Sequence, residues 1–175
     1  MKQLFKPSEN LGGLLKIWLI LPEEVSFSID TLTINSLDNL VELYCSPESM
    51  SLAETEEKNF FGSSFNVSIQ GTIPKNTHES QLITSQLTRY SWLAILLDQN
   101  EQFRLAGTNE IPLHLSLDHQ TGKEISELAS SIVNIYGKQL AATVFIDTII
   151  LGNETIYTKS LTYLSLLNIF TDWMI

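Results

Sequence analysis

The sequence predicts a mainly β protein: an antiparallel β-sandwich or barrel flanked by one α-helix, with a C-terminal extension. Three observations carry that reading. Apolar and polar residues alternate strictly at 64–70 and again at 111–118. Short apolar runs closed by Gly, Pro, Asp or Asn recur along the chain. Only residues 77–90 combine helical spacing with a capping signal.

The elements follow in order. Leu14 to Leu21 is apolar apart from Lys16 and lies between Gly12-Gly13 and Pro22, which reads as a buried strand. Val25, Phe27 and Ile29 alternate with Ser26, Ser28 and Asp30. Leu32 and Ile34 continue out of phase, so a bulge or turn is expected near Asp30. Residues 40–45, between Asp38-Asn39 and Pro47, read as another buried strand. Phe65, Val67 and Ile69 share one face of the next, and Ser64, Asn66, Ser68 and Gln70 the other. Pro74 ends it. Asn76 and Glu79 then form a capping box, and Leu82, Ile83, Leu87 and Tyr90 keep helical spacing, which predicts one helix over 77–90.

After the helix, residues 91–97 read as a buried strand. Asp98-Gln99-Asn100-Glu101 reads as a hairpin turn before Phe103-Arg104-Leu105. Pro112 has no amide proton, which places it near a strand start or on an edge. Residues 116–126 read as a loop turning at Thr121-Gly122. Tyr136-Gly137-Lys138 reads as a tight turn, and 139–146 as a strand. Gly152-Asn153 marks a last turn. Beyond it Leu161, Leu164 and Leu167 allow a helix, while Thr158, Thr162 and Tyr163 favour a strand. The expected division is a β domain over 1–151 and an apolar extension over 152–175.

Composition bounds the function. A chain of 175 residues suits one domain and buries about 68–70% of its unfolded surface. Charged residues are 17% of the chain and hydrophobic ones 43%, against roughly 25% charged in an average globular protein. A surface so poor in charge is often covered by something else. The formal charge is −10 and the pI near 4.6. The ten basic residues are scattered singly, so no stripe exists to grip phosphates, and nucleic-acid binding is not expected. The single cysteine, Cys45, has no internal disulfide partner and reads as a half-buried strand residue. No secretory signal is expected. The run at 14–21 is interrupted by Lys16 and is far below the roughly 18 residues of a membrane helix. The sequons at Asn66 and Asn153 then have no route to glycosylation.

No catalytic constellation emerges, and no metal or cofactor is expected. His114, Asp118 and His119 are the nearest approach to a ligand cluster and read as a solvated strand end. His78 reads as an exposed residue of the first helical turn. The acids at Glu23-Glu24, Glu54, Glu56-Glu57, Glu110, Asp118 and Asp147 read as a solvated face. Cys45 lacks a neighbouring His or Lys, and Gly62-Ser63-Ser64 lacks the context of a nucleophile elbow. Phe60-Phe61, Trp18, Trp92 and Trp173 read as core or interface aromatics. The end of the chain is the candidate assembly interface: Leu161, Leu164, Ile169, Phe170, Trp173 and Met174 crowd a segment that must be tied down on its own domain or on a neighbour.

Five local features extend this reading. They are Gly12-Gly13 before an apolar strand and Pro22-Glu23-Glu24-Val25; Gly71-Thr72-Ile73-Pro74 closing a strand; and the strand from Leu93 to Asp98. The fourth is Arg104-Leu105-Ala106-Gly107-Thr108 leading to Pro112-Leu113, and the fifth is Thr121-Gly122. In these, over about two thirds of the chain, the sequence resembles small structural virion proteins of phages and prophages of Bacteroidales bacteria, the crAss-like group included. The resemblance implies a tail-tube-like or neck-ring-like subunit without catalysis, made in the bacterial host's cytoplasm and carried in the virion. It implies a ring of copies of itself beside portal, neck or tail proteins, with free strand edges pairing between neighbours. DNA would pass without specific binding, and no membrane is involved. The alternative is a soluble β-barrel that binds a small molecule in an apolar pocket.

Overall fold

The computed structural model describes residues 12–60, 62–74, 85–120, 130–152 and 154–158. In chain order the strands are β1 (Leu14–Ile20), β2 (Val25–Ser28), β3 (Thr31–Ile34), β4 (Val41–Glu42), β5 (Ser51–Asn59), β6 (Gly62–Pro74) and β7 (Leu93–Asp98). They continue with β8 (Phe103–Ala106), β9 (His114–Gln120), β10 (Ser130–Gln139), β11 (Val144–Ile146), β12 (Thr148–Leu151) and β13 (Glu154–Thr158). They form three open sheets with orders β11-β8-β7-β1-β4, β5-β6-β10-β9 and β13-β12-β3-β2. Every neighbouring pair is antiparallel except β3 with β12. The mainly β, antiparallel fold expected from the alternation is what the chain adopts.

The first sheet is the middle layer of a stack. Along β1, Ile17 and Leu19 enter one buried cluster, with Val67, Ile69, Val133, Ile135 and Leu115 of the second sheet. Trp18 and Ile20 enter the other, with Val25, Leu32, Ile34 and Ile149 of the third. Strand β7 repeats the division: Ala94 and Leu96 lie on one side, and Leu93, Ile95 and Leu97 on the other. Register explains the match, since Ile17 pairs with Leu96 and Trp18 with Ile95. A strand buried on both faces has no reason to alternate. That is why 14–20 and 93–97 read as continuous apolar runs while 64–70, on an outer sheet, alternates. Fully burying each such side chain is worth roughly 1.5–3 kcal/mol, so the middle sheet is the main source of stability.

Several local expectations correspond to the structure. Ile29, at φ 57°, turns the chain between β2 and β3. Asp98 opens the β7–β8 hairpin, its Oδ1 accepting the amides of Asn100 at 2.8 Å and Gln102 at 3.0 Å. Pro112 precedes Leu113, whose N–H and C=O both bond Trp92 at 2.8 Å.

Others are corrected. Tyr136, Gly137 and Lys138 do not turn; they run through β10, paired with Ser68, Val67 and Asn66. Gly137 is there for space, because a Cβ would lie 2.9 Å from Leu113 Cδ2. The single strand expected at 139–146 is two: β10 ends at Gln139 and β11 begins at Val144, because the chain crosses there from an outer sheet to the middle one. Ser116 to Gln120 belong to β9 rather than a loop, held by β10. Of 40–45, only Val41–Glu42 pairs as a strand. The helix expected over 77–90 lies mostly outside the described residues; residues 85–87 form a helical turn whose Leu87 is buried in the first cluster. The division expected at 151/152 falls inside the β12–β13 hairpin, so residues 154–158 belong to the chain's own third sheet.

Candidate functional site

The two edges of the middle sheet are built differently, and the difference begins with single residues. At the β4 edge, Glu42 accepts a bond from Trp18 Nε1 at 3.2 Å and pairs with Lys16 Nζ at 2.9 Å. The Lys16 ammonium also sits 5.6 Å from the Trp18 ring centre. Charge on an edge strand is a common defence against pairing with another chain. Among the described residues β11 itself carries no charged side chain; the nearest charges are Asp147, which follows it, and Arg104 on the neighbouring β8. Among the described residues β11 pairs only with β8, in the register Val144–Leu105, Phe145–Arg104 and Ile146–Phe103. Ile146 points into the second cluster. Val144 is 39% exposed, Phe145 43% and Leu140, just upstream, 74%.

Two contacts hold that edge in place. Glu54, on the edge strand β5 of the second sheet, accepts the Thr143 N–H at 2.6 Å and the Thr143 hydroxyl at 3.0 Å, one on each carboxylate oxygen. The segment entering β11 is thereby tied across to another layer. Arg104 lies over the Phe145 ring at 4.1 Å, and its Nη2 is 3.6 Å from Asp98 Oδ2. A guanidinium stacked on an aromatic face and steered by a carboxylate fixes the ring's direction.

Between these groups is a cleft of about 240 Å³ lined by Gly12, Gly13, Leu14, Leu52, Glu54, Asp98, Asn100 and Arg104. Gly13, at φ 101°, lets β1 start close to the hairpin: its carbonyl accepts the Gln99 amide at 3.3 Å. Glu54 and Asp98 already receive hydrogen bonds from the chain, and the lining has no thiol, hydroxyl or imidazole. The cleft is thus a seam between layers that positions β11.

The candidate ligand residues do not converge. His114 and Asp118 are on the outer face of β9, four residues apart, roughly 13 Å along a strand. His114 lies beside the Tyr136 ring with centres 6.3 Å apart. His119 points to the opposite face, where its Nδ1 is 2.8 Å from Ser131 Oγ. Among the described residues no three His, Cys, Asp or Glu side chains come together as a metal site. His78 is outside the described residues. Cys45 is half-buried just after β4, and burial pushes its thiol up to about 11. The hydrogen bond from Lys138, then that from Asn66, holds the exposed Glu57 carboxyl below its usual range.

Trp18 and Trp92 are core aromatics, while Phe60 at the β5–β6 turn is exposed. Phe61, and the assembly candidates Leu161, Leu164, Ile169, Phe170, Trp173 and Met174, lie outside the described residues. The sequence places Arg104 only in a strand and a motif and Glu54 only on a solvated acidic face; the apolar β11 edge and the Glu54–Thr143 tie are not among its expectations. The one available signal was Arg104 itself, a cation inside an apolar strand opposite the acidic hairpin. No helix among the described residues is long and apolar enough to cross a membrane. No family model, curated protein or solved structure matches the chain.

Proposed function

We propose that the chain is a non-enzymatic structural subunit that assembles through the β11 edge, forming a ring in the neck or tail of a phage particle. The observation that carries this is the contrast between the edges of one sheet. One is closed by Glu42 and Lys16; the other presents Leu140, Val144 and Phe145. An apolar edge strand on a charge-poor chain is a template for pairing with another chain.

The quoted motifs agree with a scaffold role. Gly71 to Pro74 close β6, Leu93 to Asp98 are β7, and Arg104 lies in β8, which ends at the turn where Gly107, at φ 90°, packs against Leu93 and Leu113. The neighbours are copies of the same chain and the portal, neck or tail proteins beside them. With ten basic side chains spread singly against twenty acidic ones, DNA passes the ring without being gripped.

Light scattering on the full chain across a concentration series tests the reading. Discrete multimers that Val144→Asp shifts to monomer are expected, with rings visible by electron microscopy. A monomer at every concentration overturns it.

A further inference from the structure

The second sheet turns one face to the middle sheet, and its outer face has a composition of its own. Along β10, Val133 and Ile135 are buried while Asn134, Tyr136 and Lys138 point outward. Register carries that alternation to the neighbouring strands. Ser68, Tyr136 and His114 lie side by side in one row, and Gln70, Asn134 and Ser116 in the next. Rows are about 6.8 Å apart and strands about 4.8 Å, so these six side chains form one open patch. No carboxylate, ammonium or guanidinium is among them. Tyr136, in the middle of its row, is 47% exposed and tilted beside the His114 ring. The charges of this face lie at its ends. At one, Lys138 and Asn66 both donate to Glu57, at 2.8 and 2.7 Å. At the other, Asp118 stands opposite Ile132. Inside the patch Asn134 Oδ1 is shielded from solvent and has no hydrogen-bond partner, an arrangement that is unfavourable until a donor arrives.

We propose that this patch is a binding site for a neutral glycan, which lies along the sheet with one sugar ring on Tyr136. Chemistry selects the ligand class. Covering hydroxyls and amides is unfavourable unless the covering molecule brings hydrogen-bonding groups of its own. A sugar chain does so; an apolar peptide or a lipid surface does not. The C–H face of a pyranose meets the Tyr136 ring, whose aromatic body and polar tip suit a ligand that is apolar on one side and wet on the other. The amides of Gln70 and Asn134 each donate and accept, which matches neighbouring sugar hydroxyls. An acidic polymer is disfavoured by the chain's formal charge of −10 and by a patch that offers it no cation. The face is open along two rows, so it takes a stretch of glycan chain rather than a single enclosed sugar. It belongs to a different sheet from the β11 edge, so glycan binding and assembly are separable.

Affinity electrophoresis of the full chain in native gels containing dextran, mannan, laminarin or xyloglucan tests this, with polygalacturonate as the acidic counterpart. At least one neutral polymer should retard the chain, and polygalacturonate should not. The dissociation constant, read from mobility against polymer concentration, should rise about tenfold in Tyr136→Ala. It should rise about three- to tenfold in Gln70→Ala and stay near the original in Tyr136→Phe, which keeps the ring. Circular dichroism checks that each variant is folded, and Gln70, on the solvent side of β6, gives a second reading if Tyr136→Ala is not. No retardation by any neutral polymer overturns the proposal and leaves the assembly reading standing. Retardation that the folded alanine variants leave unchanged, or that polygalacturonate produces equally, also overturns it. A chain that is retarded as expected yet monomeric by light scattering overturns assembly alone.

Discussion

Gly137 has the sequence surroundings of a turn yet lies inside β10, which makes Gly137→Ala a discriminating substitution. Alanine is ordinarily the better strand residue, and losing the glycine would gain about 0.5–1 kcal/mol. Here the new Cβ would lie 2.9 Å from Leu113 Cδ2, 3.4 Å from Gln139 Nε2 and 3.6 Å from Leu113 Cα. Leu113 is fully buried, and both its backbone groups are bonded to Trp92 at 2.8 Å, so it cannot retreat. Gln139 is held by its own bond to the Ile111 carbonyl at 2.9 Å. Overpacking of this kind costs roughly 1–3 kcal/mol; a middle cost of about 2 kcal/mol less the gain of about 0.5–1 kcal/mol leaves a net loss of about 1–1.5 kcal/mol. With a urea slope near 2 kcal/mol per molar, the midpoint should fall by about 0.5–0.8 M. Gly12→Ala, with nothing within 4 Å of the added carbon, serves as the control and should leave the midpoint unchanged. In a Leu113→Ala background, itself lower by about 2–5 kcal/mol, the clash is gone, and Gly137→Ala should be neutral or stabilising. Equal losses in both backgrounds, within about 0.5 kcal/mol, would refute the packing argument.

Three further outcomes follow from other contacts. Trp92→Phe removes the Nε1 bond to the buried Leu87 carbonyl at 2.8 Å and should cost about 2 kcal/mol, read by urea unfolding followed by circular dichroism. Glu54→Ala should speed hydrogen exchange at the Thr143 amide and lower stability by about 1–2 kcal/mol, since the group is partly exposed. Glu54→Gln, which keeps one acceptor, should protect that amide better, and identical exchange in both variants would sink the proposed tie. Cys45, raised from an ordinary 9.0 to about 11, should react with iodoacetamide at pH 8 about 100-fold more slowly than an ordinary protein thiol. The unfolded thiol loses its proton first, so its contribution to stability is intact below pH 9 and is lost as pH rises through 9 towards 11. Cys45→Ala should flatten that decline.

What the sequence determined by itself was local. Alternation at 64–70 identified an outer strand, because period-two patterning survives only where one face meets solvent. Asp98 and Gly152 identified turns, since their side chain or backbone freedom acts within a few residues. Uninterrupted apolar runs identified β1 and β7 without revealing that the sheet they form is buried on both faces. That needed the two clusters, whose members come from strands as far apart as β2 and β12. Only the tertiary structure decided the rest. Tyr136-Gly137-Lys138 has the composition of a turn, yet contacts with Leu113, Val67 and Asn66 keep it extended. Glu54 and Thr143 are 89 residues apart in the chain, so no local pattern could pair them. Whether Val144 and Phe145 are core or edge depends on which strand lies beside them, and the apolar edge of the middle sheet is a property of strand order, which no window of sequence contains.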